Sequence, residues 1–130
     1  MAEWVSPDAQ AWREADRRLA AAGVSPRQVQ VAWVKLANKG PTGSLDEHGR
    51  KLQRDTEAVL HNARSRFPNL RIAYLSSRIY AGYATGNLNP EPYAYESAFP
   101  VRWLIQEQIA GRPDLNFDAA RGGVKSPLLL

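Results

Sequence analysis

Two short apolar segments separated by a long helical segment constrain the fold of this chain most. Residues 29–36 are rich in β-branched and aromatic side chains and are mostly apolar on both alternating faces, which is typical of a strand covered on both sides. Residues 70–75 form a second strand-like run, and residues 45–66 between them have helical periodicity. The order strand, long helix, strand is a βαβ unit, which predicts two parallel strands joined by a right-handed crossover.

The helix of this unit has local start and stop signals. Ser44 and Glu47 have the spacing of a capping box, and Pro68 follows the last apolar position. Gly49 weakens the helix without breaking it. The residues that mark its buried side are Leu45, His48, Leu52, Val59, Leu60, Ala63 and Phe67.

Two further helices flank the βαβ unit. Ser6 and Pro7 predict the start of a helix over residues 7–22. A third helix is expected over residues 93–110, where Pro100 should kink the helix or delay its start. Residues 111–130 contain no clear strand and are expected to be irregular.

The element order helix, strand, helix, strand, helix predicts an α/β fold with a doubly wound parallel sheet. A sheet of two strands leaves an unpaired edge on each side, and it offers three helices little surface to cover. We therefore expect residues 1–130 to be a single partial α/β domain from the centre of a larger doubly wound domain. The remaining strands would come from sequence before Met1 and after Leu130.

A long connection after the second strand is the most informative part of the chain for function. Residues 76–96 hold four of the five tyrosines, and residues 76–92 of this stretch form the predicted loop. Loops longer than about 12–15 residues are uncommon unless they are functional or disordered. Its tyrosine content argues against disorder. A loop at the carboxyl end of a parallel strand is where an α/β protein usually binds a ligand.

The candidate substrate-binding residues lie on this loop and at the end of the first strand. They are Arg78, Tyr80, Tyr83, Asn87, Asn89, Glu91, Lys35 and Asn38. The loop tyrosines offer ring faces and hydroxyls to a sugar, or pack under the loop as a small core of its own, and we expect at least two to be structural. Arg78 either braces the loop through Glu91 or Glu96, or binds a substrate carboxylate or hydroxyl. Asn38 is either a donor to the substrate or a turn residue.

Catalytic, metal and cofactor chemistry finds little support in the sequence. His48 and His61 are not neighbours on one helix face, and no carboxylate pattern completes a metal site with them. Both histidines are expected to be surface or boundary residues. Ser76 or Ser77 could be a nucleophile, but no histidine is placed to activate either, so we expect them to satisfy loop backbone groups. The absence of cysteine excludes disulfides and thiolate chemistry. We predict no catalytic residue, metal or cofactor.

Charge and hydropathy limit the partners. The net charge is +4, but positive and negative side chains are interspersed along residues 45–66, as on a solvated helix face. Between residues 79 and 101 the only charges are Glu91 and Glu96, which argues against phosphate binding. We predict no nucleic-acid partner. No apolar run reaches the roughly 20 residues that span a bilayer, and no signal peptide is visible, so no membrane partner is predicted. The compartment stays open, with a secreted parent protein among the alternatives.

Four stretches together resemble the middle of SGNH/GDSL-like hydrolases, within a bacterial subfamily whose function is poorly known. They are residues 29–35, 67–70, 75–83 and 88–96, and the resemblance covers roughly residues 29–130. It implies a flavodoxin-like, three-layer α/β/α fold and ester hydrolysis by Ser, His and Asp. The family's amino-terminal Gly-Asp-Ser block and carboxyl-terminal Asp-x-x-His block are both absent here. Asn38 is the closest match to the family's oxyanion asparagine, although the usual Gly-x-Asn-Asp sequence is missing.

The resemblance implies a fragment of an ester hydrolase that acts on an acylated carbohydrate or a similar small-molecule ester. Residues 76–96 would be its substrate-side wall, and the chain alone would be inactive. Two other interpretations stay open. The chain could be a non-catalytic saccharide-binding module, or an α/β module that self-associates through exposed strand edges.

Overall fold

The computed structural model describes residues 1–78 and 80–115. Helices and strands are mixed along the chain, which confirms the α/β composition. Two short 3-10 turns cover Pro26–Gln28 and Pro113–Leu115, and the part of the predicted irregular tail after Leu115 lies outside the described residues. The elements are α1 (Ala2–Val5), α2 (Gln10–Ala21), β1 (Val31–Val34), α3 (Leu45–Arg66), β2 (Ile72–Leu75), α4 (Tyr93–Glu96) and α5 (Ala98–Ile109).

Strands β1 and β2 pair in parallel, as the βαβ pattern predicts, with Val31 opposite Ile72 and Trp33 opposite Tyr74. Both strands are shorter than the predicted segments 29–36 and 70–75, because each has a single neighbour and regular pairing covers only four positions. Within the described residues this two-stranded sheet has two unpaired edges.

The two faces of the sheet have different surroundings. Ala32 and Val34 lie against the hydrophobic core that the helices form. Side chains on the other face are 43–71% exposed, which contradicts the expectation of strands covered on both sides within the described residues. We call these four residues the exposed sheet face: Val31, Trp33, Ile72 and Tyr74.

The core lies between the amino-terminal helices and α3. Trp12 is 4% exposed, its ring meets Trp4 edge-on at 4.8 Å, and its Nε1 donates a hydrogen bond to the Trp4 carbonyl at 2.9 Å. The prediction of one helix over residues 7–22 is wrong in its first part. Residues preceding proline disfavour helical backbone, so α1 ends before Ser6, which is extended, and α2 begins only at Gln10.

Helix α3 has the predicted bounds, residues 45–66, and the predicted capping box. Gly49 also has a packing role that the sequence did not reveal. A Cβ at this position would lie 3.1 Å from Cζ3 of Trp103, so the glycine lets α5 approach α3 closely.

The predicted helix over residues 93–110 is divided at Ser97 into α4 and α5. Pro100 is fully buried near the start of α5 and has no N–H to donate to the preceding turn. The helical segment starts at Tyr93, as predicted, and it is broken at Ser97 in place of the expected kink at Pro100 or delayed start. No helix in residues 1–78 and 80–115 is long and apolar enough to cross a membrane.

Candidate functional site

The loops that follow β1 and β2 meet at the carboxyl edge of the sheet. The amide of Gly40 donates to the Leu88 carbonyl at 2.8 Å, and Asn89 Nδ2 donates to the Asn38 carbonyl at 3.4 Å. Gly40 has a φ of +56°, a conformation that favours glycine. The structure thus brings together Asn38 and Asn89, two of the predicted site residues, as expected for loops at the same end of parallel strands.

Glu91 and Ser97 hold the loop over residues 76–92 in shape. The Glu91 carboxylate accepts hydrogen bonds from the amides of Ala81 at 2.7 Å and Tyr95 at 3.1 Å. Ser97 is 2% exposed, and its hydroxyl accepts from the Arg78 amide at 3.0 Å and donates to the Ala94 carbonyl at 2.6 Å. The loop is therefore tied to α4 and to the junction between α4 and α5.

The predicted bracing role of the Arg78 side chain is wrong within the described residues. Glu91 is bound by backbone amides and Glu96 is bound by His48, and no ion pair joins either carboxylate to the Arg78 guanidinium in the described part of the chain. The Arg78 side chain is exposed instead. The second predicted role, contact with a ligand, stays a prediction.

A cleft of about 320 Å³ lies on the outer side of the loop. The Tyr80 and Tyr83 rings are 69% and 93% exposed and meet edge-on at 5.7 Å. A Cβ on Gly82 would lie 1.9 Å from the Tyr80 hydroxyl, so this ring position requires the glycine. We call this site the tyrosine cleft, and its wall consists of Arg78, Tyr80, Ala81, Tyr83, Ala84, Gly86, Leu88, Asn89 and Ala94.

The other two loop tyrosines contact neighbouring rings. Tyr93 meets His48 edge-on at 4.9 Å, and Tyr95 meets Phe99 edge-on at 6.0 Å. Tyr93 is half-buried, but Tyr95 is 68% exposed, about as much as Tyr80, so the expectation that at least two tyrosines are structural stays a prediction.

His48 differs from the predicted surface or boundary histidine. It is 7% exposed, and its Nε2 lies 2.6 Å from Oε2 of Glu96 on α4. Its place on the apolar side of α3, between Leu45 and Leu52, is the sequence signal for burial. The partner Glu96 lies 48 residues away in sequence, and no local pattern indicates it.

A second cavity, of about 630 Å³, lies between α1, the loop after β1 and the start of α3. Asn38 is on its wall, and its Nδ2 donates to Oδ2 of Asp55 at 2.9 Å, so part of its donor capacity is used inside the protein. We call it the His48 cavity, and its wall consists of Met1, Ala2, Glu3, Asn38, Lys39, Gly40, Pro41, Thr42, Gly43, Glu47, His48 and Lys51.

The remaining predicted residues lie away from both walls or have structural partners. Lys35 is half-buried and Asn87 is exposed, and neither is on the wall of the tyrosine cleft or the His48 cavity. Ser76 Oγ accepts a hydrogen bond from Nε1 of Trp33 at 2.9 Å, and the Ser77 hydroxyl donates to the Arg78 carbonyl at 3.3 Å. Neither hydroxyl is bonded to a histidine in the described part of the chain.

One group of potential metal ligands, Glu57, His61 and Asp114, comes together between α3 and the second 3-10 turn. The guanidinium of Arg112 binds both acids of this group, and it also binds Glu107 at 2.6 Å. The hydrogen bond from Arg112 lowers the pKa of Glu107, and the bond to Glu107 contributes most to a raised Arg112 pKa. The group is therefore an ion-pair network centred on arginine.

No protein-family model matches this chain, and no curated protein or solved structure is significantly similar to it. The resemblance to SGNH/GDSL-like hydrolases accordingly stays a proposal. Inferences about function rest on the geometry of the tyrosine cleft and the His48 cavity.

Proposed function

We propose that this chain forms the substrate-side wall of an SGNH-like ester hydrolase that acts on an acylated carbohydrate or a similar ester. The observation that carries the proposal is the tyrosine cleft at the carboxyl edge of a parallel βαβ unit. Ligands of open α/β sheets bind at this edge. The bonds to Glu91 and Ser97 fix the backbone of the loop before a ligand arrives, which lowers the entropic cost of binding.

The side chains of the cleft support an acylated sugar as its ligand. The exposed faces of Tyr80 and Tyr83 can pack against the C–H surface of a sugar ring or its acyl group. The exposed guanidinium of Arg78 can donate to hydroxyl or ester oxygens. Asn89 Oδ1 is a buried acceptor that has no hydrogen-bond partner in the described residues, so a ligand hydroxyl that reaches it would satisfy it.

The proposal includes a larger, doubly wound, three-layer sheet. The exposed sheet face supports it, because Trp33 is 71% exposed beside Val31, Ile72 and Tyr74. Parallel sheets are normally covered by helices on both faces. The two unpaired strand edges support it as well, since further strands would pair with them.

Hydrolysis would need groups that the described part of this chain does not bring together. No serine is hydrogen-bonded to a histidine in residues 1–78 and 80–115, and nucleophilic catalysis by serine needs such a base. We therefore expect this chain to bind an acylated saccharide without hydrolysing it.

Binding and turnover of an acetylated xylo-oligosaccharide test the proposal together. We expect calorimetry to detect binding that weakens at least about tenfold in Tyr83→Ala and in Arg78→Ala. Tyr74→Ala is the matched control, because Tyr74 lies on the exposed sheet face and should leave affinity unchanged. Release of p-nitrophenol from p-nitrophenyl acetate should stay at the background rate. Turnover that Arg78→Ala abolishes would show that the catalytic groups are present after all.

A non-catalytic saccharide-binding module is the second candidate, and the exposed rings of Tyr80 and Tyr83 support it because they can pack against a sugar that carries no ester. Equal affinity for the acetylated and deacetylated oligosaccharides would support this candidate over the hydrolase wall. The flanking coding sequence separates the two as well. A hydrolase predicts a Gly-Asp-Ser block upstream and an Asp-x-x-His block downstream.

A further inference from the structure

His48 is a buried polar side chain on the wall of a cavity that the proposed function does not use. Glu96 binds its Nε2 at 2.6 Å, and Tyr93 packs edge-on against its ring. Both contacts come from α4, so the imidazole is held from that side, and His48 is also a lining residue of the cavity. The wall of this cavity and the wall of the tyrosine cleft share no residue.

The bond to Glu96 determines what the other ring nitrogen can do. An ionised carboxylate only accepts hydrogen bonds, so the proton of the neutral imidazole lies on Nε2. Nδ1 is then an acceptor, and it has no hydrogen-bond partner among the described residues. A carboxylate that fixes the tautomer and the ring orientation of a histidine is a common way to present the opposite nitrogen to a ligand.

The charges on the cavity wall favour a neutral ligand. The wall carries three ammonium groups, of the Met1 terminus, Lys39 and Lys51, and two carboxylates, of Glu3 and Glu47. Lys51 is bound to Asp55 at 2.5 Å, and Glu47 is bound by the amide and hydroxyl of Ser44. Because Asp55 neutralises Lys51, two positive and two negative groups are left, and the wall offers donors and acceptors without excess charge of either sign.

We propose that the His48 cavity binds a neutral polyhydroxylated molecule of monosaccharide size, one of whose hydroxyls donates a hydrogen bond to His48 Nδ1. The volume of about 630 Å³ lies in the usual range of small-molecule sites. Thr42 and Lys39 are exposed on the wall and supply further polar contacts. This site is separate from the tyrosine cleft and does not depend on an ester in the ligand.

Nuclear magnetic resonance on the isotope-labelled chain tests the proposal with glucose, glucuronate and glucosamine as probes. Glucose should shift the His48 Cε1–H and Nδ1 signals saturably, and both charged analogues should bind more weakly. Lys39→Ala should weaken glucose binding at least about fivefold. Arg71→Ala is the charge-matched control, because Arg71 is exposed at the amino end of β2, and it should have no effect.

His48→Gln should abolish glucose binding. If His48→Gln does not fold, the loss of affinity in Lys39→Ala still tests the proposal. Tyr83→Ala should leave glucose binding unchanged, which separates this site from the proposed function of the tyrosine cleft. The absence of a saturable His48 shift at about 50 mM glucose, well above the millimolar range of weak binding, would overturn the proposal. Tighter binding of glucuronate or glucosamine than of glucose would overturn it as well.

Discussion

Substitution of Glu91 by alanine should loosen the loop that forms the tyrosine cleft. Its carboxylate accepts hydrogen bonds from two backbone amides, that of Ala81 on the cleft wall and that of Tyr95 in α4. Alanine removes both acceptors at once. The Ala81 amide, which is partly buried, then has no partner in the described residues.

The expected magnitude follows from the number and exposure of these bonds. Hydrogen bonds to charged groups contribute about 1.5–3 kcal/mol each, although solvent reduces the contribution of the exposed bond to Tyr95. We take about 2 kcal/mol for the pair. Because every 1.4 kcal/mol changes an equilibrium about tenfold, local opening around Ala81 should increase about 30-fold.

Native-state hydrogen exchange, followed by nuclear magnetic resonance, measures this opening directly. The Ala81 amide should exchange about 30-fold faster in Glu91→Ala, while the amides of the β1–β2 ladder keep their rates. Asp8→Ala serves as the control, because Asp8 is an exposed carboxylate far from the loop in sequence and without a side-chain partner in the described residues. A change in the Ala81 rate below about threefold would refute the claim that Glu91 holds the loop.

Three further predictions concern packing, charge and the exposed sheet face. Gly49→Val should lower the free energy of unfolding by about 1–3 kcal/mol in urea titration, because the contact between α3 and α5 has no room for a branched side chain. Gly86→Ala is the control and should be near neutral, since a Cβ there meets no atom within 4 Å. Arg112→Met should cost less than about 1 kcal/mol at pH 7. The bond from Arg112 lowers the pKa of Glu107 from 4.5, so it stabilises the fold above pH 4.5 and this contribution is lost in acid. The difference in unfolding free energy between Arg112→Met and the unsubstituted protein should therefore narrow below pH 4.5, and a difference that widens there would contradict this assignment. Trp33→Ser should reduce the fluorescence of a bound hydrophobic dye without lowering the melting temperature, and unchanged dye binding would show that this face is not an accessible apolar surface.

Local sequence signals predicted the elements whose ends depend on nearby residues. The bounds of α3 follow from Ser44, Glu47 and the proline after Phe67, all of which act within one or two helical turns. The parallel pairing of β1 and β2 follows from the length of the crossover between them. The start predicted for the helix over residues 7–22 is wrong. Pro7 marks the end of α1 at Val5, and α2 begins only at Gln10.

The details of the site depend on contacts between residues far apart in the chain. Glu91 and Glu96 were expected as partners of Arg78 because they are the only charges nearby in sequence. In the structure, Glu91 binds backbone amides and Glu96 binds His48 across 48 residues. Burial of His48 was readable from its apolar neighbours on α3, but the His48 cavity depends on how α1 and the loop after β1 pack.

A map of amide chemical shifts on addition of an acetylated xylo-oligosaccharide tests the central claim most directly. We expect the largest shifts on Arg78, Tyr83 and Asn89, and no release of free acetate during the titration. Shifts confined to Val31 and Ile72 on the exposed sheet face, or no shifts at all, would contradict the assignment of the tyrosine cleft as a substrate wall.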